Sequence, residues 1–354
     1  MNRRLENLRE LMKESQIEAF VIFKFVNVTY ITGFTGDDSA AFVTSDKAIF
    51  ITDARYTEQA ANQVKGFEIK EHKHGIKEIL KEYVENLKIS RLAFEGSLSY
   101  KQYSDLKDYL GIELVMANDL IETLRMTKDE SEIENIKKAQ DITDKAFSHI
   151  LNFIKVGMSE RDVALEMEFY MKKLGAQDLS FDTIVASGKR SSLPHGVASN
   201  KIIEKGDLVT LDFGCKYNGY CSDMTRTIIM GKATEKQREI YNIVLEAQEN
   251  AIKHIKAGVT GKEGDNYARS IIEKKGYGKY FGHSLGHGVG LEVHESPSLS
   301  FKNEEPLKQN SIVTVEPGIY ISDFGGVRIE DMVLLKEDKV INLTNSPKQL
   351  IEVN

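Results

Sequence analysis

The feature that most constrains the fold of this chain is a weak internal repeat in its second half. Residues 154–175, IKVGMSERDVALEMEFYMKKLG, align with residues 255–276, IKAGVTGKEGDNYARSIIEKKG. Ser159 and Thr260 take equivalent positions in the two copies, and both are typical helix N-cap residues. Each copy predicts a helix, a glycine turn and a second helix, followed by strand-like sequence. Two such copies indicate an α+β domain with pseudo-two-fold symmetry, and the alternative is a chance similarity between helical hairpins.

The residues before this repeat predict a smaller α/β domain. The chain opens on a charged amphipathic helix, which is unlike a signal peptide. The β-rich segments that follow predict strands at Ala19–Val26, Val28–Ile31, Ala40–Thr44 and Ala48–Thr52. Further patterns predict helices at about 56–64, 75–87 and 100–109, and a strand at Arg91–Phe94.

The two predicted domains meet just before a long helix. Thr127 is a candidate N-cap, and Glu130 follows at the spacing of a capping box. We therefore place the boundary at 124/125, which gives domains 1–124 and 125–354.

Composition limits the partners and the compartment. The 47 basic and 54 acidic residues give a net charge of −7 without a dense basic block, so no nucleic-acid partner is expected. The apolar stretch 19–34 contains Lys24 and is too short to span a membrane. Two cysteines in 354 residues argue against a disulfide scaffold and predict a cytoplasmic protein.

The segment VTLDFGCKYNGYCSDMTRT, at 209–227, predicts a β-hairpin that carries two carboxylates. Its Asn-Gly pair is a strong turn signal, because both central residues must accept a positive φ. Counting back from the turn puts Asp212, Asp223 and Thr225 on one face, with the two carboxylates within reach of a common ion. Since aspartate is depleted in strands, the pair indicates an ion site, and a solvated sheet face is the alternative.

Three other hairpin residues have more ordinary explanations. Gly214 lies opposite Asp223, where we expect it to leave room for a bulky group. Cys215 and Cys221 fall on the other face, and we expect buried thiols there, because a zinc site would need more thiols or a closer spacing.

Histidines cluster in the segment GHSLGHGVGLEVHESP, at 282–297. Three of the eight histidines of the chain, His283, His287 and His294, alternate with glycines that let the backbone approach a ligand. Neutral imidazole is a common metal ligand and also an acid or base. His195, in SSLPHGVAS, is a further candidate. Purely structural roles are the alternative for all four.

Two glutamates lie in or beside β-rich segments near the C-terminus. Glu316 stands in TVEPGIY and Glu330 in GGVRIED. A carboxylate in an apolar strand must be paired, protonated or metal-bound. Arg328, two residues before Glu330, shares its face, so an Arg328–Glu330 surface pair is the alternative.

Four carboxylates and one imidazole form a hard, oxygen-rich ligand set. Such a set suits two divalent ions about 3.5–4 Å apart and is unlike a structural zinc site. Cations of the manganese type fit carboxylate and water ligands, and cobalt or zinc could occupy the same positions. A hydroxide held between two such ions is a nucleophile at neutral pH, so the implied reaction is hydrolysis.

The sequence closely resembles the pita-bread metallopeptidases, in the branch of the Xaa-Pro aminopeptidases and Xaa-Pro dipeptidases (prolidases). The residues that match the Asp-Asp-His-Glu-Glu ligand set of that family in order and flanking sequence are Asp212, Asp223, His287, Glu316 and Glu330. The resemblance covers about 125–350 and, more loosely, a creatinase-type N-terminal domain with YITGFTG at 30–36 and DARY at 53–56.

The resemblance implies a role for each metal ligand. Asp212 would chelate one metal ion, His287 and Glu316 the other, and Asp223 and Glu330 would bridge both. Glu316 would also shuttle the proton of the attacking water.

The resemblance implies four further site residues. His294 would hold the scissile carbonyl or its oxyanion, and His195 would assist near the leaving imino group. His283 is a third histidine of the Xaa-Pro branch, and Arg328 matches an arginine that orients a bridging carboxylate or a histidine. His283 and Arg328 are thus expected at the substrate-binding part of the site.

The resemblance further implies a homodimer that acts on peptides with proline in second position. Several prolidases carry an arginine four residues after the histidine equivalent to His294, where it pairs with the carboxylate of a dipeptide. Ser298 stands there, and one hydroxyl cannot replace a bidentate cation. We therefore expect an Xaa-Pro aminopeptidase, with an Xaa-Pro dipeptidase as the alternative.

Three other members of the fold are weaker alternatives. A non-catalytic pita-bread module or a creatinase-like amidinohydrolase would lack metal ligands that are present here. A methionine aminopeptidase shares the five ligands but usually lacks the N-terminal domain.

Overall fold

The computed structural model describes residues 2–354 and divides into two compact units, the first ending at Arg125 and the second spanning Met126–Asn354. The helices of the first part of the chain are α1 (Arg3–Glu14), α2 (Phe25–Thr32), α3 (Thr57–Gln63), α4 (Ile76–Asn86), α5 (Tyr100–Leu110) and α6 (Leu120–Met126). The strands are β1 (Ala19–Ile22), β2 (Ser39–Thr44), β3 (Ala48–Thr52), β4 (Glu68–Glu71), β5 (Arg91–Phe94) and β6 (Glu113–Met116). They form one mixed sheet in the order β4-β3-β2-β1-β5-β6.

Helix α2 contradicts the sequence prediction. The prediction of a strand at Val28–Ile31 is wrong, because these residues are helical. The strand predicted at Ala19–Val26 ends early, at Ile22, the last residue of β1. The carboxylate of Glu95 accepts hydrogen bonds from the backbone N–H groups of Phe23 and Lys24, each at 2.7 Å, at the start of α2. β-branched residues favour strands, but here a buried carboxylate more than 70 positions away binds the backbone N–H groups of the two residues that precede the helix.

The second unit holds the longer helices and most of the strands. Its helices are α7 (Glu130–Phe153), α8 (Glu160–Lys173), α9 (Glu235–His254) and α10 (Gly261–Lys274), with 3₁₀ turns at Gly188–Ser192 and Gly278–Tyr280. Its strands are β7 (Asp178–Leu179), β8 (Ile184–Ser187), β9 (Leu208–Phe213), β10 (Cys215–Tyr217), β11 (Tyr220–Cys221), β12 (Met224–Met230), β13 (Gly286–Gly288), β14 (Glu295–Leu299), β15 (Ile312–Val315), β16 (Gly318–Ile321), β17 (Gly325–Arg328), β18 (Asp331–Leu335), β19 (Val340–Asn342) and β20 (Ile351–Val353). The sheets run β11-β10-β7, β20-β12-β9-β8, β14-β13-β15-β18-β19 and β16-β17.

The internal repeat corresponds to two helical hairpins, each with its own core. Ser159 caps α8 and Thr260 caps α10, as predicted, and the structure shows that each N-cap is part of a complete capping box. The α7–α8 hairpin packs on β8, β9 and β12, while the α9–α10 hairpin packs on β15 to β18. The α+β domain with pseudo-two-fold symmetry is therefore confirmed.

The N-cap of α7 is Asp129, with Glu132 completing the capping box, so the prediction of Thr127 and Glu130 is wrong by two residues. Both pairs satisfy the same spacing rule, and an aspartate caps as well as a threonine does.

No helix among residues 2–354 is both long enough and apolar enough to cross a membrane.

Candidate metal centre

The predicted hairpin positions the first two carboxylates. Asn218 and Gly219 have φ values of 48° and 81°, as the two-residue turn requires. Asp212, in β9, is the cross-strand partner of Thr225, and Asp223 lies directly before β12. The predicted register is therefore confirmed.

The surroundings of this hairpin correct one expectation and confirm another. A Cβ on Gly214 would lie 1.9 Å from the backbone oxygen of Ser222, so this glycine permits a close backbone approach rather than leaving room for a bulky group. Cys215 and Cys221 are free, buried thiols, as expected. Burial raises the pKa of Cys221 to about 11, which keeps it protonated at neutral pH.

The second repeat contributes the remaining ligand-type side chains. His287 lies in β13, Glu316 follows β15, and Glu330 falls between β17 and β18. The strands β13, β15 and β18 are consecutive in one sheet, which brings these positions together. One cavity of about 450 Å³ is lined by every residue predicted for the site, namely His195, Asp212, Asp223, His283, His287, His294, Glu316, Arg328 and Glu330.

His287 presents one ring nitrogen to the carboxylates. Its Nδ1–H donates to the carbonyl oxygen of Gly288 at 3.1 Å, which leaves Nε2 facing the cavity. Nε2 lies 3.2 Å from Glu316 Oε1 and 3.6 Å from Asp223 Oδ2. Burial lowers the pKa of His287, but the Glu316 carboxylate more than offsets this, so the net shift is upward. A ring nitrogen aimed at two carboxylates suits a bound cation.

The carboxylates of the cavity carry more negative charge than the positively charged side chains around them can neutralise. Four of them, Asp212, Asp223, Glu316 and Glu330, face one buried guanidinium, that of Arg328. Burial and mutual repulsion raise the pKa of Asp223 and of Glu330 well above the usual range. Such a cluster calls for protons or cations.

An orphaned oxygen gives a more local reason for a cation. Asp212 Oδ1 is buried and has no hydrogen-bond partner among residues 2–354. One ligand atom each from Asp223, His287 and Glu330 lies within 4.8 Å of the other two. The donor set therefore fits divalent cations with oxygen and imidazole ligands.

Arg328 is not part of a surface pair with Glu330, so that alternative is wrong. The arginine is buried, and its Nη2 donates to Asp212 Oδ2 at 2.6 Å. Its Nη1 donates to the hydroxyl of Tyr320 at 2.8 Å, and its Nε donates to Thr225 Oγ1 at 3.0 Å. Arg328 thus orients a carboxylate of the cavity.

His283 is held by a hydrogen-bond chain that sequence analysis did not find. Its Nδ1–H donates to the carbonyl of Ser284 at 2.8 Å, and its Nε2 lies 3.0 Å from the hydroxyl of Tyr320. Since Arg328 donates to the same hydroxyl, Tyr320 donates its own proton to His283. Burial lowers the pKa of His283, which favours the neutral ring. Both nitrogens are therefore occupied, and His283 is a poor metal ligand.

Two threonines hold the glutamates and were also missed as site residues. Thr225 Oγ1 donates to Glu330 Oε2 at 2.7 Å, and Thr314 Oγ1 donates to Glu316 Oε1 at 3.0 Å. Thr225 was placed on the correct hairpin face from sequence, whereas Thr314 gave no separate signal. These hydroxyls fix the orientation of the carboxylates that they contact.

His195 and His294 line the same cavity, and both are exposed to solvent. The ring of His294 lies 4.2 Å from that of His287, between centroids. Partial burial and the neighbouring His287 lower the pKa of His294, so it is largely neutral at neutral pH.

Comparisons with known proteins agree with this geometry. Residues 134–337 match the model of metallopeptidase family M24, and residues 4–127 match the creatinase/prolidase N-terminal domain. The chain therefore belongs to metallopeptidase family M24, with a creatinase-type N-terminal domain and a pita-bread domain.

Full-length relatives carry two kinds of name. The Xaa-Pro dipeptidase of Pyrococcus furiosus is 46% identical over 99% of this chain and 100% of its own. The structure of an Xaa-Pro dipeptidase from Bacillus anthracis has a TM-score of 0.97 at 48% identity, and it covers 99% of both chains. The structure of an X-Pro aminopeptidase from Thermotoga maritima has a TM-score of 0.91 at 44% identity, also over 99% of both chains. The relatives thus favour Xaa-Pro peptidase chemistry, and more of these names are dipeptidases.

Proposed function

We propose that this chain is a dinuclear-metal peptidase that hydrolyses Xaa-Pro dipeptides. The observation that carries the proposal is the cavity, in which four carboxylates and an imidazole nitrogen converge against a single guanidinium, in a family of metallopeptidases. Two full-length relatives named Xaa-Pro dipeptidase favour this alternative over the aminopeptidase that Ser298 predicts.

The five ligand-type residues divide the work of holding two ions. Asp212 would hold one ion, His287 and Glu316 the other, and Asp223 and Glu330 would bridge them. The short separation of Asp223, His287 and Glu330 supports this division. Bound divalent ions, manganese by preference and cobalt or zinc otherwise, would activate water and polarise the scissile carbonyl.

The other side chains act on the substrate and its protons. Glu316, whose Oε1 accepts a hydrogen bond from Thr314 Oγ1 at 3.0 Å, would take a proton from the attacking water. His294 donates a hydrogen bond to the oxyanion of the scissile carbonyl. His195, which lines the same cavity, assists at the proline nitrogen, which accepts a proton as the peptide bond breaks.

The proline ring needs an apolar place beside these groups. Phe181, Ile184 and Pro194 line the same cavity, together with the neutral ring of His283. We assign His283 and Arg328 to the substrate side of the site. Arg328 acts there through Asp212 and Tyr320, because its guanidinium is already bonded to both.

A second candidate, the Xaa-Pro aminopeptidase, has one specific observation in its favour. Among the described residues, the only arginine or lysine that lines the cavity is Arg328, and three of its nitrogens already donate to protein groups. Ser298 also lines the cavity. From the resemblance to the prolidases, its position is the one where a cation would meet a dipeptide carboxylate. A longer peptide has no carboxylate at this position, so the absence of a cation would not weaken its binding.

Specificity constants decide between the two candidates. Ala-Pro and Ala-Pro-Ala are compared at equal manganese loading, with Ala-Ala as the control for proline selectivity. A higher constant for Ala-Pro supports the dipeptidase, and a higher constant for Ala-Pro-Ala supports the aminopeptidase. Cleavage of neither proline peptide would contradict both.

We further propose a cytoplasmic homodimer without nucleic-acid or membrane partners, with the first domain at 1–124 and the catalytic domain at 125–354. The two free thiols support a reducing compartment, and the division at Arg125 supports the domain boundary. The resemblance to the Xaa-Pro branch supports the homodimer, which light scattering of the purified protein tests.

A further inference from the structure

A buried ion pair lies directly beside the exposed histidine of the candidate site. Lys128 Nζ is 2.7 Å from Glu295 Oε1, and the two side chains are only 1% and 5% exposed. Glu295 follows His294 in the chain and begins β14. No residue of the ligand set takes part in this pair.

The carboxylate of Glu295 is packed into the glycine-rich loop that carries the site histidines. A Cβ on Gly290 would lie 2.3 Å from Glu295 Oε1, so only glycine lets the carboxylate lie here. Gly288, which follows His287, is the cross-strand partner of Glu295, and the register shifts between His287 and Gly288. Glu295 therefore meets the loop through its backbone, at Gly288, and through its carboxylate, at Gly290.

His294 has little else to hold it. Its side chain is exposed, and among residues 2–354 no hydrogen bond to its ring is present, only the ring contact with His287. A group that donates to a developing oxyanion must be held in place before the reaction. Its neighbour in the chain, Glu295, ties this position to the fold, because the backbone of Glu295 pairs with Gly288.

On the basis of the proposed function, we infer that Lys128 is a positioning residue. Its ion pair with Glu295 fixes the place of His294 over the reacting carbonyl. Lys128 is itself fixed, because it directly precedes the N-cap of α7 and its N–H donates to the carbonyl of Asn310 at 3.0 Å. Breaking a buried pair by removing one partner is far more disruptive than losing a surface pair.

The test combines Lys128→Met, Glu295→Gln and Lys128→Arg with His294→Ala. Lys128→Met should lower kcat on Ala-Pro on the order of tenfold with the metal content unchanged, since a small displacement of a preorganised group is costly. In the His294→Ala background the same change should have no further effect on kcat, because the group that it positions is gone. Lys128→Arg should restore most of the lost rate.

Lys201→Met is the control, because Lys201 also forms an ion pair, with Asp207 at 2.8 Å, but neither of these residues is adjacent in the chain to a site histidine. Equal losses of kcat from Lys128→Met with and without His294 would overturn the inference. Should Lys128→Met fold poorly, Glu295→Gln, which keeps the size of the side chain, takes its place in the cycle.

A readout without turnover separates this inference from the proposed function. In protein labelled with ¹⁵N-histidine, Lys128→Met should shift the ring resonances of His294, whereas Lys201→Met should leave them in place. Unchanged His294 resonances in Lys128→Met would overturn the positioning role. Failure of the wild-type protein to cleave Ala-Pro would instead count against the proposed function alone.

Discussion

The hydroxyl of Thr225 offers a sharp test of how the candidate site holds metal. Thr225 is fully buried; its Oγ1 donates to Glu330 Oε2 at 2.7 Å and accepts from Arg328 Nε at 3.0 Å. Thr225→Val keeps the shape of the side chain and removes both hydrogen bonds. A hydrogen bond to a charged group contributes roughly 1.5–3 kcal/mol. Since about 1.4 kcal/mol is a factor of ten in affinity, manganese should bind on the order of tenfold to hundredfold more weakly.

The same strand provides a matched control. Thr227 is also buried, but its Oγ1 donates to the backbone carbonyl of Arg328 at 3.0 Å and contacts no carboxylate of the cavity. Thr227→Val should lower the free energy of unfolding while leaving the manganese affinity near the wild-type value, and Thr225→Ser should keep most of the affinity. Calorimetric titration of the chelator-treated protein measures the affinities, and thermal unfolding reports stability. Wild-type affinity in Thr225→Val, or an equal loss in Thr227→Val, would refute the reasoning.

Three further predictions concern the same cavity. Asp223→Asn removes an anion that would bridge both ions, so it should lose at least one ion and nearly all turnover; unchanged metal content by mass spectrometry would count against the assignment. His294→Ala and His195→Ala should keep both ions and lower kcat, for His294 on the order of hundredfold; an emptied site would make either residue a ligand. Burial and repulsion raise the pKa values of Asp223 and Glu330. The metal-free folded state therefore binds protons that the unfolded chain does not. As pH rises through the raised pKa values, the free energy of unfolding of the metal-free protein should fall. Manganese binding near neutral pH should consequently release protons and tighten with rising pH, and calorimetry in buffers of different ionisation enthalpy would contradict this by finding no proton release.

Local sequence signals predicted much of the fold, because their physical causes are themselves local. The hairpin register follows from the positive φ of Asn218 and Gly219. The starts of α8 and α10 in the two copies of the repeat follow from the N-cap residues Ser159 and Thr260, each of which satisfies a backbone donor three residues away. Such features need no knowledge of the rest of the chain.

Predictions failed where a distant group decides the outcome. Helix α2 was predicted as a strand because its sequence is β-branched, whereas Glu95 stabilises its N-terminus from more than 70 positions away. The alternative of an Arg328–Glu330 surface pair also rested on local spacing alone, and it is wrong because the arginine binds Asp212, which lies 116 positions away in sequence.

Some residues of the candidate site could be predicted from the sequence, and others could not. Residue chemistry and family resemblance selected nine positions that line one cavity. Tyr320 and Thr314 were missed, because a tyrosine or threonine in a strand is ordinary until its hydroxyl contacts a histidine or a carboxylate. Only the packed sheets show those contacts.

The central claim is that five side chains from both repeats hold two divalent ions in one cavity. Anomalous diffraction at the manganese absorption edge, from crystals of the manganese-loaded protein, tests it most directly. We expect two anomalous peaks about 3.5–4 Å apart, within coordination distance of Asp212, Asp223, His287, Glu316 and Glu330. A single peak, no peak, or ions held by other side chains would contradict it.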